Sequence, residues 1–286
     1  MLEMLLDPRR AERKPWELFF IGMLYAGLSL LLANWLFAGN PVFAKHISIL
    51  TITFTVMFSL PFFYFIIKLE ERKSYRGERK SFIGEHGNAL SALMWLFLGF
   101  VVAYSFVYIA FPEISGETFS AQIEQYCSIN MPSQIDQCVD SFITGNYGLT
   151  GGASTTKDYA MSIFVNNIYV LIFSILFSLI FGAGAIFILA WNASVIAAAI
   201  GIFAQSSLAN FPVALSRYMI HGLPEIGSYF VAALAGGIIG VALIRHEVNS
   251  KKFWDTMRDS FNLILIAIGL LIIGVLIEAF VTPKLF

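Results

Sequence analysis

The chain has 286 residues, of which 58 % are hydrophobic and only 13 % charged, with a net charge of −1. A soluble domain carries roughly a quarter charged residues, so the composition excludes an ordinary soluble fold. Without a basic excess it also gives no support for a nucleic-acid partner. The expected class is all-α, a polytopic transmembrane helix bundle in one integral domain, with the lipid bilayer as its first partner.

In chain order, seven apolar stretches read as spans: Leu18–Phe37, Ile47–Ile67, Ala89–Phe111, Met161–Trp191, Ala193–Gln205, Ile226–Ile244 and Phe261–Phe280. A crossing helix needs about 20 apolar residues. The fourth stretch is longer than that, which predicts a tilt, a kink or a protruding end. The fifth is short. It either crosses or re-enters, or it completes a crossing with irregular backbone over Ser206–Gly222 buried in protein.

Basic residues orient the bundle. Arg9, Arg10, Arg13 and Lys14 precede the first stretch. Lys68, Arg72, Lys73, Arg76, Arg79 and Lys80 follow the second, and Arg245, Lys251, Lys252 and Arg258 follow the sixth. Only Lys45, Lys157, Arg217 and Lys284 fall on the other side. The positive-inside rule predicts a multi-pass cell-membrane protein with a cytoplasmic N-terminus and an extracytoplasmic C-terminus. The parts are residues 1–111, three spans with a basic inner hairpin; 112–160, an outer loop; and 161–286, which carries nearly all the unusual polar chemistry. No internal repeat is visible, so an inverted-repeat transporter is not indicated.

The outer loop is acidic. Its first half, near Phe119–Phe142, predicts short amphipathic helices, and Thr144–Thr156 reads as linker. Both cysteines of the chain, Cys127 and Cys138, lie in it. On an oxidising face this predicts a disulfide, which closes a short loop and stabilises it by roughly 3 kcal/mol. The alternative is two free thiols.

Polar residues then recur where lipid should be. Asn166 and Asn167 lie about one turn into the fourth stretch, as helix-packing hydrogen bonds or as the floor of a solute site. Asn192 sits between the fourth and fifth stretches, where asparagine suits a cap or turn. Arg217, His221 and Glu225 come just before and at the start of the sixth. Pro224 fits the first position of the helix that follows, which leaves His221 outside it and Glu225 in its first turn. On this reading the three ionisable groups tie a broken segment to the bundle, or form an ion or solute site. His221 and Glu225 alone make no zinc site, and His46, His86 and His246 lie near span ends or loops, so no metal or cofactor is expected and a metallohydrolase is the weakest alternative. Gly236 and Gly240 continue a four-residue repeat of small residues from Ser228 and Ala232, with Gly237 beside it. That small face packs inside the monomer or across a homodimer. Glu278, near the outer end of the last stretch, reads as interfacial.

One set of these residues resembles a known family. The order runs Asn166-Asn167, Gly182-Ala-Gly184, Trp191-Asn192, Gly201, then His221-Gly222-x-x-Glu225 and Ala235-Gly236-Gly237 with Gly240. It resembles the stage II sporulation protein M family over about 161–244, and departs from it at Ala193, where the family has glycine. The resemblance implies a polytopic membrane protein, and its founding bacterial type belongs to a membrane complex that coordinates cell-wall hydrolases. The expected function is therefore a non-enzymatic scaffold or accessory subunit with a membrane-protein partner or a second copy. The alternative is a channel or transporter for a small ion or solute. A solvated cavity lined by Asn167, Asn192, His221 and Glu225 would favour the alternative, and a dry, fully bonded cluster the scaffold. Gly182 and Gly184 are expected to serve helix packing.

Overall fold

The computed structural model describes residues 13–76, 82–144, 156–181, 185–204, 207–244 and 250–285, and every regular element in them is helical. In chain order these are α1 (Glu17–Phe37), α2 (Ile47–Arg76) and α3 (Phe82–Ala110), then three short helices, α4 (Pro112–Thr118), α5 (Ser120–Asn130) and α6 (Ile135–Thr144). They are followed by α7 (Thr156–Phe181), α8 (Ala185–Ala204), α9 (Phe211–Ile244), α10 (Lys251–Leu276) and a last turn, α11 (Thr282–Leu285). A wide π turn, Ile277–Val281, joins α10 to α11.

Seven helices, α1 to α3 and α7 to α10, are long and apolar enough to cross a membrane. The outer surface of α1 fits that setting. Phe20, Leu24, Leu28 and Leu31 are exposed along one side, while Leu18, Ile21, Gly22, Tyr25 and Ala26 are buried on the other. Exposed Trp16 and Trp35 bracket this side, about 28 Å apart at helical rise. That is close to the hydrocarbon thickness of roughly 30 Å, at whose edges tryptophan is enriched.

The bundle is organised around α9, which packs on α7, α8, α10, α2 and α3. Its most apolar window is 72 % buried, against 28 % for α7 and for the C-terminal helix. The small face of α9 is what allows this approach. A methyl group at Gly236 or Gly240 would run into the Ile175 or Leu179 carbonyl of α7, and one at Gly237 would come within 2.8 Å of Ile67 Cγ2. The repeat therefore packs inside the chain.

A second small-residue contact joins α1 to α3. Gly22 of α1 and Gly99 of α3 cross back to back, and a methyl group at Gly99 would meet the Phe19 carbonyl, with Met23 N at 2.9 Å. Backbone cannot move aside as a side-chain tip can. Gly99→Ala is thus expected to destabilise the protein by about 1–3 kcal/mol. Gly27→Ala on the free side of α1, where nothing lies within 4 Å, should be neutral or mildly stabilising. Melting temperatures of the pair in detergent test this, and equal melting would refute the close crossing.

Two expectations are corrected. The long fourth stretch is not one span ending at Trp191, because α7 ends at Phe181 and α8 begins at Ala185. The fourth and fifth spans thereby become two ordinary crossing lengths. Asn192 is neither cap nor break. It lies within α8, and its Nδ2 donates to the Ile188 carbonyl at 2.7 Å, which satisfies the amide locally without ending the helix. Gly182 and Gly184 lie outside the described residues.

The second correction concerns Ser206–Gly222. From Phe211 the chain is one continuous 34-residue helix, and it is Pro212 that sits in its first turn, where a proline costs least. Pro224 lies inside α9. It removes one N–H bond to the Ile220 carbonyl, which helices packed within membrane proteins tolerate. His221 is consequently helical and one turn from Glu225.

The short helices cap one end of the bundle. Phe119 wedges against Tyr104 and Tyr108 of α3, with ring centroids 6.1 and 5.4 Å away. Ser120 reaches Ser48 at the start of α2 at 3.5 Å. Cys127 and Cys138, both buried, form a disulfide that ties α5 to α6.

Candidate functional site: a polar cavity beneath the cap

Arg217, His221 and Glu225 recur every four residues on α9, so helical geometry puts them on one face. That face borders a cavity of about 180 Å³. Asn166 and Asn167 enter from α7, Asn192 from α8, and Tyr126 and Asn130 from the capping helix α5. All six polar residues singled out in the sequence thus line one space, although they come from three helices.

The contacts differ from a closed network. His221 links α9 to the C-terminal segment, its Nδ1 3.3 Å from Thr282 Oγ1 and its Nε2 3.9 Å from Glu278 Oε1. Asn166 Nδ2 donates to Asn167 Oδ1 at 3.3 Å. The Glu225 carboxyl faces both Asn167 and Glu278. At hydrogen-bonding geometry, however, Glu225 Oε1 and Asn167 Nδ2 have no partner, though the residues are only 8 % and 6 % exposed. An unpaired polar atom at such burial costs about 1–3 kcal/mol, more when charged.

Arg217 does not pair with Glu225, as a tie between them would require. Its guanidinium lies over the Phe203 ring, 4.9 Å from the centroid, and it forms no ion pair among the described residues. Tyr218 beside it bonds Tyr126 of α5, whose phenol is pushed up by burial and pulled back by that bond and by the Arg217 charge. The cavity therefore has a cationic, tyrosine-lined mouth under the cap and a carboxyl-lined floor.

Glu278, expected at the membrane interface, lines the cavity. It enters the cavity because the wide Ile277–Val281 turn carries it. Wide turns of this kind are frequent at functional sites. The signal available in the sequence was an acidic residue within an otherwise apolar final span, which is a functional hypothesis by default. Thr282 and Tyr229, which also line the cavity, carried no such signal. Among the described residues, no three His, Cys, Asp or Glu side chains converge as metal ligands.

A second buried acid lies at the far end of the bundle. Glu70 of α2, fully buried, accepts from Lys73 Nζ at 2.5 Å and from His86 Nδ1 of α3 at 2.6 Å. It is about 33 Å of helix away from Ser48 at the capped end. Its oxygens are both engaged, unlike those of Glu225.

An uncharacterised protein of Methanocaldococcus jannaschii is 30 % identical over 129 residues, covering 43 % of this chain and 71 % of that one. No solved structure matches the chain. The family described as stage II sporulation protein M matches residues 88–283, a longer stretch than the 161–244 that carries the motifs, and it takes in α3, the cap, the cavity and the wide turn. The chain belongs to the stage II sporulation protein M family.

Proposed function

We propose that this protein is a non-enzymatic integral membrane protein that admits a small polar solute into the cavity beneath α5. The observation that carries the reading is that two buried atoms facing a common cavity, Glu225 Oε1 and Asn167 Nδ2, close no hydrogen bond of normal geometry. A cluster that served only to hold helices together would have closed those bonds, because incomplete ones weaken packing.

Gly222 offers a direct test. It borders the cavity, and a side-chain atom there would find nothing closer than Met219 Cε at 3.6 Å. The only two native cysteines are paired with each other, so Gly222→Cys introduces a single thiol. It is expected to react with a small, charged methanethiosulfonate reagent, at a rate approaching that of Ser133→Cys on the exposed cap. Silence at position 222 while position 133 reacts would refute a solvated cavity.

The second reading is a scaffold or accessory subunit of a membrane complex. It is supported by family membership and by the largely unburied sides of α7 and α10, which leave room for a protein neighbour.

We also infer that the capped end faces outward, with the N-terminus in the cytoplasm. The support is that fourteen of the 18 basic residues precede the first span or follow the second and sixth in sequence, as the positive-inside rule requires of cytoplasmic segments. Reporters that are active on only one side of the membrane, fused to each terminus, should give opposite signals. The same signal from both would refute this orientation.

A further inference from the structure

The cavity holds a basic and two acidic side chains, and Arg217 pairs with neither Glu225 nor Glu278. Glu225 and Glu278 face one another at its floor. Arg217 lies two turns up α9, about 12 Å along the helix axis. It is held against Phe203 rather than against a carboxylate.

Each simple ligand class leaves part of this arrangement unused. A bare cation would satisfy Glu225 but would give Arg217 and Asn167 Nδ2, both donors, nothing to donate to. A bare anion would suit those donors but would enter a space with two carboxyl groups. A molecule bearing both charges serves all of them. A volume of 180 Å³ is many times the roughly 10–15 Å³ that one water needs, enough for a small organic molecule.

Building on the proposed solvated cavity, we propose that it binds a small zwitterion: a primary ammonium joined to a carboxylate or phosphate, with the ammonium on Glu225 and Glu278 and the anionic end toward Arg217. A primary ammonium has three donors for the floor. A quaternary one has none, and its methyl groups would separate the charges. The same chemistry occurs in free amino acids and amino-phosphates and in an aminophospholipid headgroup, and the cavity lies just below the cap, at a depth either could reach.

The test uses the full chain carrying Gly222→Cys in nanodiscs of a choline lipid, with protection of that thiol from the methanethiosulfonate reagent as the readout. The probes are phosphoethanolamine, β-alanine, ethylammonium, inorganic phosphate and phosphocholine. At least one of phosphoethanolamine and β-alanine is expected to slow labelling about tenfold more than ethylammonium, phosphate or phosphocholine, the scale of one charge-assisted hydrogen bond. Arg217→Gln and Glu225→Gln should each abolish that protection, with melting temperature checking the fold. The melting temperature of the wild-type chain in the same probes should rise in the same order, which keeps the result independent of the cysteine. Protection by an ethanolamine lipid in the nanodisc, without added solute, would identify the headgroup as the source, and protection only by free probes would identify a soluble zwitterion. Equal protection by ethylammonium, surviving Arg217→Gln, would overturn the proposal in favour of a cation site. A thiol that reacts but is protected by no probe would also overturn it while leaving the solvated cavity intact. A thiol that never reacts would overturn the cavity reading itself.

Discussion

Glu70→Ala is expected to cost about 3–5 kcal/mol of stability, the usual loss when one member of a buried charged set is removed. Glu70 is fully buried and shares its two oxygens between Lys73 and His86. Alanine would take away the acceptor that these two donors share, at the point where α2 is tied to α3. Glu70→Gln keeps the volume and one acceptor oxygen, so its loss should be smaller. Denaturant or thermal unfolding in detergent measures both. Wild-type melting of Glu70→Ala would show that this set contributes nothing to the fold.

Glu225→Ala is expected to behave in the opposite way. The sequence suggested a buried set in which any deletion would threaten folding. The geometry changes that expectation, because Arg217 is not bonded to Glu225 and one Glu225 oxygen has no partner to lose. Truncation enlarges a polar cavity that already exists and relieves the facing of two carboxyl groups. Stability should therefore fall by no more than about 1 kcal/mol, the centre of the distribution for point substitutions, because no closed buried network is broken. Ligand protection of the Gly222→Cys thiol, in contrast, should fall by about tenfold or more, the scale of one charged hydrogen bond lost to the ligand. If Glu225→Ala instead melts as far below wild type as Glu70→Ala, the cavity is a structural network and the scaffold reading takes precedence. The two glutamates make a controlled pair: both are buried in an apolar bundle, and they differ in whether their oxygens are already taken.

Much of this molecule was legible in the chain. Span count followed from apolar length, because each crossing must satisfy its own backbone bonds and bury roughly 20 apolar residues. The Cys127–Cys138 disulfide and the short cap helices followed from local composition, and the small face of α9 from its four-residue spacing. The polar set Asn166, Asn167, Asn192, Arg217, His221 and Glu225 was visible because such groups are costly in lipid and so seldom occur there without a reason. Helix boundaries were less legible. Asn192 and Pro224 are residues that end helices in water, yet α8 and α9 run through both, since a back-bond to Ile188 and packing by neighbouring helices satisfy what those residues disturb. What only the tertiary structure decided was pairing. Whether Arg217 meets Glu225, whether Glu278 turns inward on a wide turn, and whether Glu70 finds His86 depend on how helices remote in sequence are rotated against one another. That rotation is set by close backbone contacts such as Gly22 on Gly99 and Gly236 on Ile175, whose partners no local pattern specifies.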